Sequence, residues 1–462
     1  MLLLKTRTRF IVSTAVILSL LPSSLIPPVF ANPQAGHAVQ SRGPRQLRGQ
    51  QATSSLADDT LIVTLYPGAN QDEVKQVLDE THGTVIQTLH VDADNYDILF
   101  VKPERGKSQD TIKTIAKKRG KNFKAIDGNY SFRALLQGNY DSPPNDPNYP
   151  DQWNLVDIGW TSAQSQFQHS QKHAAHITIL DTGCNTVALN RELVHVTQYN
   201  CTGSTVVRER PVDLDGHGTN CASIAAATTD NASVISGVAS FSSAAPVYVV
   251  MLRISTPNNP GGASGTAIVT ALVWALNHQA ERYGKGAISV SFGASQPLWS
   301  FSVVQSLAQS YNKHGDHLFL AAGNDGSDQS AYPEGAVTVV QATDSNDQLA
   351  YFSTTLSSPE AAPGVNIPTI WGVPLSYGTV SGTSEATPMY AACAAMIQSV
   401  YPHVNAVQAA QVLLQTGKTT SQGKIIPQLN AALAALAPPP KPPKKPIKKP
   451  IKRPVKKRGT AA

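Results

Sequence analysis

The sequence predicts an α/β protein: a mostly parallel sheet with helices on both faces, preceded by a small α+β region of order βαββαβ. Three observations carry that expectation. Residues 60–133 read as four strands and two helices in that order. From residue 176 onward, short apolar runs alternate with helical patterns, as in a parallel sheet covered on both faces. Several of those runs stop in polar, glycine-rich motifs, and sites in such sheets lie beyond the carboxyl ends of the strands.

Composition narrows the class first. The chain has 462 residues, of which 41% are apolar, so it can bury a sizeable core and is not wholly disordered. Four Cys in that length are too few for a disulfide scaffold. The net charge of +6 is misleading. Residues 438–462 carry eight Lys, two Arg and no acid, whereas residues 140–436 hold ten basic residues against nineteen acidic ones. The folded body is therefore acidic, and a nucleic-acid role inferred from overall charge fails.

At the start, Lys5, Arg7 and Arg9 precede an apolar run over 10–21, and a less regular stretch ends at Ala31. A charged segment, a short apolar run and a small-residue end make 1–31 a signal peptide and the protein secreted. The run is too short to span a bilayer, and no later stretch is apolar enough to do so. Residues 32–55 read as a polar linker.

The small region, 56–137, follows. The β-branched run 61–65 ends at Pro67-Gly68, and 72–81 has Val74, Val77 and Leu78 at helical spacing. Residues 84–89 and 96–101 read as strands, 110–119 as a helix with Ile112 and Ile115 on one face, and 123–132 as a last strand. That order is ferredoxin-like, which by itself says nothing of function. Pro143, Pro144 and Pro147 among Asn and Asp then mark a linker and a site of cleavage.

The large region, 138–436, carries the chemistry. Strand 176–180 runs into Asp181-Thr182-Gly183, and Gly216-His217-Gly218-Thr219 precedes a small-residue helix over 221–227. A strand over 246–252 and a helix over 267–278 come next. Strand 287–290 ends in Ser291-Phe292-Gly293, and strand 317–321 in Gly323-Asn324-Asp325-Gly326. A further strand is expected over 336–341, and Gly382-Thr383-Ser384 opens a helix reaching about residue 400. A serine hydroxyl is a weak nucleophile that needs a base in hydrogen-bond reach and a carboxylate to orient the base. Asp181, His217 and Ser384 supply those roles. Ser384 at a helix N-terminus and the Asn324 amide supply donors for an oxyanion.

These four signals, in the order Asp, His, Asn, Ser, resemble the subtilisin-like serine proteases, the subtilases. Ile179-Leu180-Asp181-Thr182-Gly183, Gly216-His217-Gly218-Thr219, Ala321-Ala322-Gly323-Asn324 and Gly382-Thr383-Ser384 carry the likeness, with Ala362-Pro363-Gly364 and Pro388. It covers about residues 140–436, and the small region is similar to the family's inhibitory propeptide. The resemblance implies a broad-specificity endopeptidase acting on polypeptides, monomeric, with its own propeptide as intramolecular inhibitor. It implies that substrate adds as a strand between Ser291-Phe292-Gly293 and Gly262-Ala263-Ser264. It also implies that Gly323 and Ala331 line the main side-chain pocket. Calcium is the implied cofactor, with Asp146 and the Asn231 amide oxygen as candidate ligands, and Asn190 or Glu192 standing where the family has a further acid.

Two residues depart from the family pattern. Asn220 stands where a second His is usual, and Glu385 follows Ser384 where an uncharged residue is common. A carboxylate there is expected to raise the His217 pKa and to favour basic residues just beyond the cut. The alternative function is a catalytically impaired binding protein on the same scaffold. Cys184 and Cys201, nearest in sequence, are the preferred disulfide, against four buried thiols. The Pro/Lys tail 437–462 reads as an extended cationic arm for an anionic surface, against a plain solvated extension.

Overall fold

The computed structural model describes residues 56–438 apart from 105–110, 113, 116–121, 135–136, 139–147, 187–190, 243 and 294–295, with backbone alone for 56–58, 130–134 and 137–138. The signal segment, first linker and basic tail, most of the helix expected over 110–119, and Asp146 and Asn190 lie outside the described residues.

The N-terminal sheet comprises β1 (Leu56–Leu65), β2 (Thr84–Val91), β3 (Tyr96–Lys102) and β4 (Phe123–Ala134). Its strands are antiparallel in the order β4-β1-β3-β2. Helix α1 (Gln71–Glu80) starts where the Asn70 side chain accepts from the Asp72 and Glu73 N–H groups, with acids in its first turn. It buries Val74, Val77 and Leu78 against Leu61, Val63, Leu99, Val101 and Ile115. A two-residue strand, β5 (Gln137–Gly138), follows.

Helices α2 (Trp153–Asp157) and α3 (Trp160–Phe167) lead into the main sheet. Its strands are β6 (Ala175–Asp181), β7 (His195–Asn200), β8 (Val207–Glu209), β9 (Val247–Arg253), β12 (Ala287–Val290), β14 (His317–Ala321), β15 (Thr338–Thr343) and β16 (Ala361–Pro363). They lie in the order β16-β15-β14-β12-β6-β9-β7-β8. All neighbours are parallel except β8, which pairs antiparallel with β7. The sheet stands within two residues of the expected runs at β6, β9, β12, β14 and β15. Successive side chains point to opposite faces, which separates two cores. Ile177, Ile179, Phe319 and Val340 face one, and Leu180, Ile288, Val290, Leu318 and Leu320 the other.

The helices that cover the sheet are α4 (His217–Ala226), α5 (Gly265–Asn277), α6 (Ser302–His314), α7 (Thr383–Val400), α8 (Ala406–Thr416) and α9 (Leu429–Leu436). The 18-residue α7 buries all but one of its residues, and its run of Ala and Cys lets it pack closely against α4, β6, β12, β14 and β15. Helix α4 starts at His217, four residues earlier than expected, because Gly216 at φ +98° turns the chain into it. No helix among the described residues is long and apolar enough to cross a membrane.

Strands β10 (Ser255–Thr256), β11 (Asn259–Ser264) and β13 (Phe292–Gly293) join the N-terminal sheet, as both β11 and β13 pair antiparallel with β4. Strands β17 (Ile367–Trp371) and β18 (Ser376–Ser381) form a hairpin whose second strand also pairs with β5, and β19 (Lys418–Thr419) and β20 (Ile425–Ile426) form a separate antiparallel pair.

All four cysteines are free and buried, so the disulfide expected between Cys184 and Cys201 is corrected. Cys184 lies in the core on one face of the main sheet and Cys201 in the core on the other. Closeness in sequence did not bring them to the same face.

Candidate active site

Asp181 ends β6, and His217 begins α4. Both are fully buried, and Nδ1 of His217 lies 2.6 Å from Asp181 Oδ1. A loop built on Asp213 sets that contact. Its Oδ1 accepts from the Thr182 hydroxyl at 2.9 Å and the Gly216 N–H at 2.9 Å. Its Oδ2 accepts from the N–H and hydroxyl of Thr219 at 2.9 and 2.6 Å. Gly218 lies so close to the backbone of Gly183 that a Cβ would come within 2.1 Å of its carbonyl oxygen, so the Gly-His-Gly sequence is a packing requirement. Sequence reasoning passed over Asp213. The available signal was a carboxylate two residues before Asp215-Gly216-His217.

An imidazole hydrogen-bonded to a carboxylate through Nδ1 carries its proton there and presents the Nε2 lone pair. Nε2 is buried and has no hydrogen-bond partner among the described residues. Burial disfavours the charged ring, but the Asp181 carboxylate more than offsets this, and the His217 pKa stands well above its ordinary value.

Ser384 sits in the first turn of α7, fully buried. Its hydroxyl donates to the Ser291 carbonyl oxygen at 3.3 Å, and the Ser291 hydroxyl donates to the Ser384 carbonyl oxygen at 3.1 Å. The Cys221 thiol bridges the two helices, donating to the Ser384 carbonyl at 3.6 Å and lying 3.9 Å from His217 Nδ1. Burial pushes that thiol up to about 12, so it stays protonated. The Asn324 Oδ1 accepts from the Thr383 N–H and hydroxyl, both at 2.9 Å, and the Gly323 N–H donates to that same hydroxyl at 3.1 Å. Thr383 thus holds the amide oxygen of Asn324 and turns Nδ2 the other way. Asp181 and His217 are thus in direct contact, Asn324 is tied to Thr383 beside Ser384, and Cys221 lies between the two pairs.

The expected substrate-binding residues fall in two places. Gly262, Ala263, Phe292 and Gly293 lie on β11 and β13, on either side of β4. Ala331 is exposed on a turn. Glu385 is fully buried, donated to by Asn220 Nδ2 at 2.6 Å.

Asn231 does not fit a calcium ligand. Its Oδ1 accepts from the Ser233 N–H at 2.8 Å, and its Nδ2 donates to the Arg191 carbonyl at 2.6 Å. The buried Glu192 carboxylate accepts from the Val234 and Ile235 N–H groups of the same loop, so the loop offers it donors where a cation needs oxygens.

The profile of the subtilase family matches residues 172–430. Thermitase from Thermoactinomyces vulgaris is 31% identical over 273 residues, 58% of this chain and 89% of that protein. A thermophilic serine proteinase from Bacillus sp. (strain AK1) is 27% identical over 367 residues, 78% of this chain and 82% of that protein. Among solved structures, fervidolysin from Fervidobacterium pennivorans, a keratinolytic enzyme related to subtilisin, aligns with TM-score 0.59 at 18% identity. That alignment covers 83% of this chain and 61% of fervidolysin, under two thirds of its length, and the likeness is one of fold.

Proposed function

Because the chain belongs to the subtilase family, and so is a serine-type endopeptidase, we propose that it is exported as a zymogen that cuts itself once to open its own site. Ser384 is the nucleophile in this reading. His217 Nε2 takes the hydroxyl proton as Oγ bonds to the scissile carbonyl carbon, and returns it to the leaving amine as the C–N bond breaks. Asp181 holds the imidazole tautomer. The Asn324 Nδ2 and the Ser384 N–H donate to the oxyanion, each such donor worth roughly 3 kcal/mol of transition-state stabilisation. Water then repeats the cycle on the acyl-enzyme. The charged and apolar segments before Ala31 support export.

The observation that carries the zymogen reading is the course of β4. It lies antiparallel between β11 and β13, with Arg133 opposite both Gly262 and Gly293 and Ala134 opposite Phe292. An extended peptide held by backbone pairing on both sides is how a protease binds substrate with loose sequence preference. Gln137 then lies opposite Ser381, three residues before Ser384. Only residues 135 and 136 separate the two pairings, so the register supports a cut between Leu135 and Leu136. Those two residues lie outside the described residues.

Intact mass and N-terminal sequencing of the secreted protein, wild type beside Ser384→Ala, test this. The wild type is expected to lose everything before Leu136 and Ser384→Ala to keep it. Equal cutting of both chains, or none of either, overturns self-processing. Labelling of Ser384 by a serine-directed phosphonate reports the nucleophile separately.

A further inference from the structure

The chemistry above leaves one buried carboxyl unused, directly behind the nucleophile. Glu385 follows Ser384 in the first turn of α7, and Asn220 follows His217 by three residues in α4. Both are fully buried. Asn220 Nδ2 donates to Glu385 Oε1 at 2.6 Å. The two remaining polar atoms of the pair, Asn220 Oδ1 and Glu385 Oε2, are also buried, and neither has a hydrogen-bond partner among the described residues. An amide oxygen and an ionised carboxylate oxygen are both acceptors, so two such buried orphans in one bonded pair are costly. A proton on Oε2 supplies the missing donor. An acid O–H to the amide oxygen and an amide N–H to the acid carbonyl then close a two-bond ring.

We propose that Glu385 is held as a neutral carboxylic acid in a two-bond pair with Asn220, and that this pair ties the helix of His217 to the helix of Ser384 while keeping negative charge away from the imidazole. Glu385 is then a positioning residue, and the two departures from the family pattern are one device. The proposal rests on the reading of His217 and Ser384 as base and nucleophile.

The surroundings agree. Burial pushes the Glu385 carboxyl up to about 7, against the pull of His217 and of the Asn220 hydrogen bond. The ionisable groups that face it are His217 and Cys221 from α4 and Asp181 from β6. Strands β12, β15, β16 and β17 and helices α8 and α9 carry no ionisable side chain. His317 of β14 is engaged with Asn312 and Thr338, and Tyr377 of β18 feels Asp151. Above its pKa, Glu385 loses the bond to Asn220 Oδ1 and places a buried anion beside His217. That anion stabilises the imidazolium, which is the form that cannot accept the Ser384 proton.

Glu385→Gln keeps both bonds, since its amide N–H donates to Asn220 Oδ1, and it cannot ionise. Labelling of Ser384 by a phosphonate, followed against pH in the processed protein, reads the nucleophile directly. The ratio of the Glu385→Gln rate to the wild-type rate is expected to rise about fivefold or more between about pH 6 and about pH 9. A flat ratio overturns the proposal, as does a folded Glu385→Gln chain that never labels when wild type does. If Glu385→Gln does not accumulate folded, Glu385→Met, which also lacks the charge, is expected to show the same rise. Infrared difference spectra of Ser384→Ala with and without Glu385→Gln give a readout independent of activity. A protonated-carboxyl band at about pH 6 must be lost with Glu385, and its absence overturns the neutral acid. If no chain labels while that band is present, the catalytic reading fails and the acid–amide pair stands.

Discussion

The N-terminal sheet and the main sheet bury their strands in different ways. Strands β6 and β12 of the main sheet run as near-unbroken buried segments, with helices of the same region over both faces. Strand β3 alternates. Leu99 and Val101 face the sheet's own helix and strands, while Tyr96, Ile98 and Phe100 pack into the core of α5 and α6 beside Val269, Leu272, Val304 and Leu307. The main sheet is therefore self-sufficient, and the N-terminal sheet draws half of its core from the body it covers. That asymmetry suits the proposed removal of the N-terminal segment.

The largest expected effect separates the two faces of β3. In the Ser384→Ala chain, which the proposed self-processing leaves whole, Phe100→Ala is expected to destabilise the N-terminal sheet by about 3–5 kcal/mol and to loosen it from the body. Leu99→Ala, on the other face, is expected to cost about 2–5 kcal/mol and to disorder the sheet internally. Denaturant unfolding with separate probes on the two regions measures both. A single transition that both variants move together would mean one cooperative core and would erase the distinction.

How far the sequence could be read follows the same division. The strand ends carrying Asp181, Ser291 and Asn324 were legible because a buried run stopping in Asp, Ser or Gly-Asn is a local signal. The four-strand order of the small region was legible from its periodicity. What stayed hidden depends on pairings distant in sequence. Gly262 and Gly293 meet Arg133 more than 120 residues away along the chain, a flanking that the family resemblance implied and local pattern did not. Asn220 and Glu385 are 165 residues apart, and no pattern in either helix links them. Asp213, close to His217, was passed over because a carboxylate in a turn has no periodic mark. The disulfide expectation failed because sequence distance does not tell which face of a strand a cysteine will occupy.

A smaller effect belongs to the body alone. His317 on β14 is buried, with Nδ1 2.7 Å from Asn312 Oδ1 and Nε2 2.9 Å from Thr338 Oγ1. Burial holds it down at about 4. The folded pKa thus lies below the unfolded one, so the unfolded chain takes up the proton first. Stability is full above about pH 6.5 and is lost as pH falls toward about 4, by on the order of 3 kcal/mol at most. His317→Gln should flatten the acid slope of the body's unfolding free energy. An unchanged slope would assign acid sensitivity elsewhere.

The smallest effect lies where the two regions meet. Helix α6 has Phe301 at its N-cap, which offers no side-chain acceptor. Its first N–H groups donate instead to Asp127 on β4, Ser302 at 3.4 Å and Val303 at 3.0 Å. Asn129 Oδ1 accepts likewise from Thr266 N–H in the first turn of α5, at 2.9 Å. The N-terminal sheet therefore lends caps to helices of the body, the reverse of the loan made through Phe100. A missing cap of this kind costs about 0.5–2 kcal/mol, and a carboxylate at a helix N-terminus sits at the larger end. Asp127→Ala in the Ser384→Ala chain is expected to weaken the docking by about that amount and to leave the body's own transition in place, because water can satisfy α6 once the sheet is gone. If the body's transition falls by the same amount, α6 needs the cap to hold its fold. The N-terminal sheet would then be a permanent part of the folded unit, and the asymmetry drawn from β3 would be wrong.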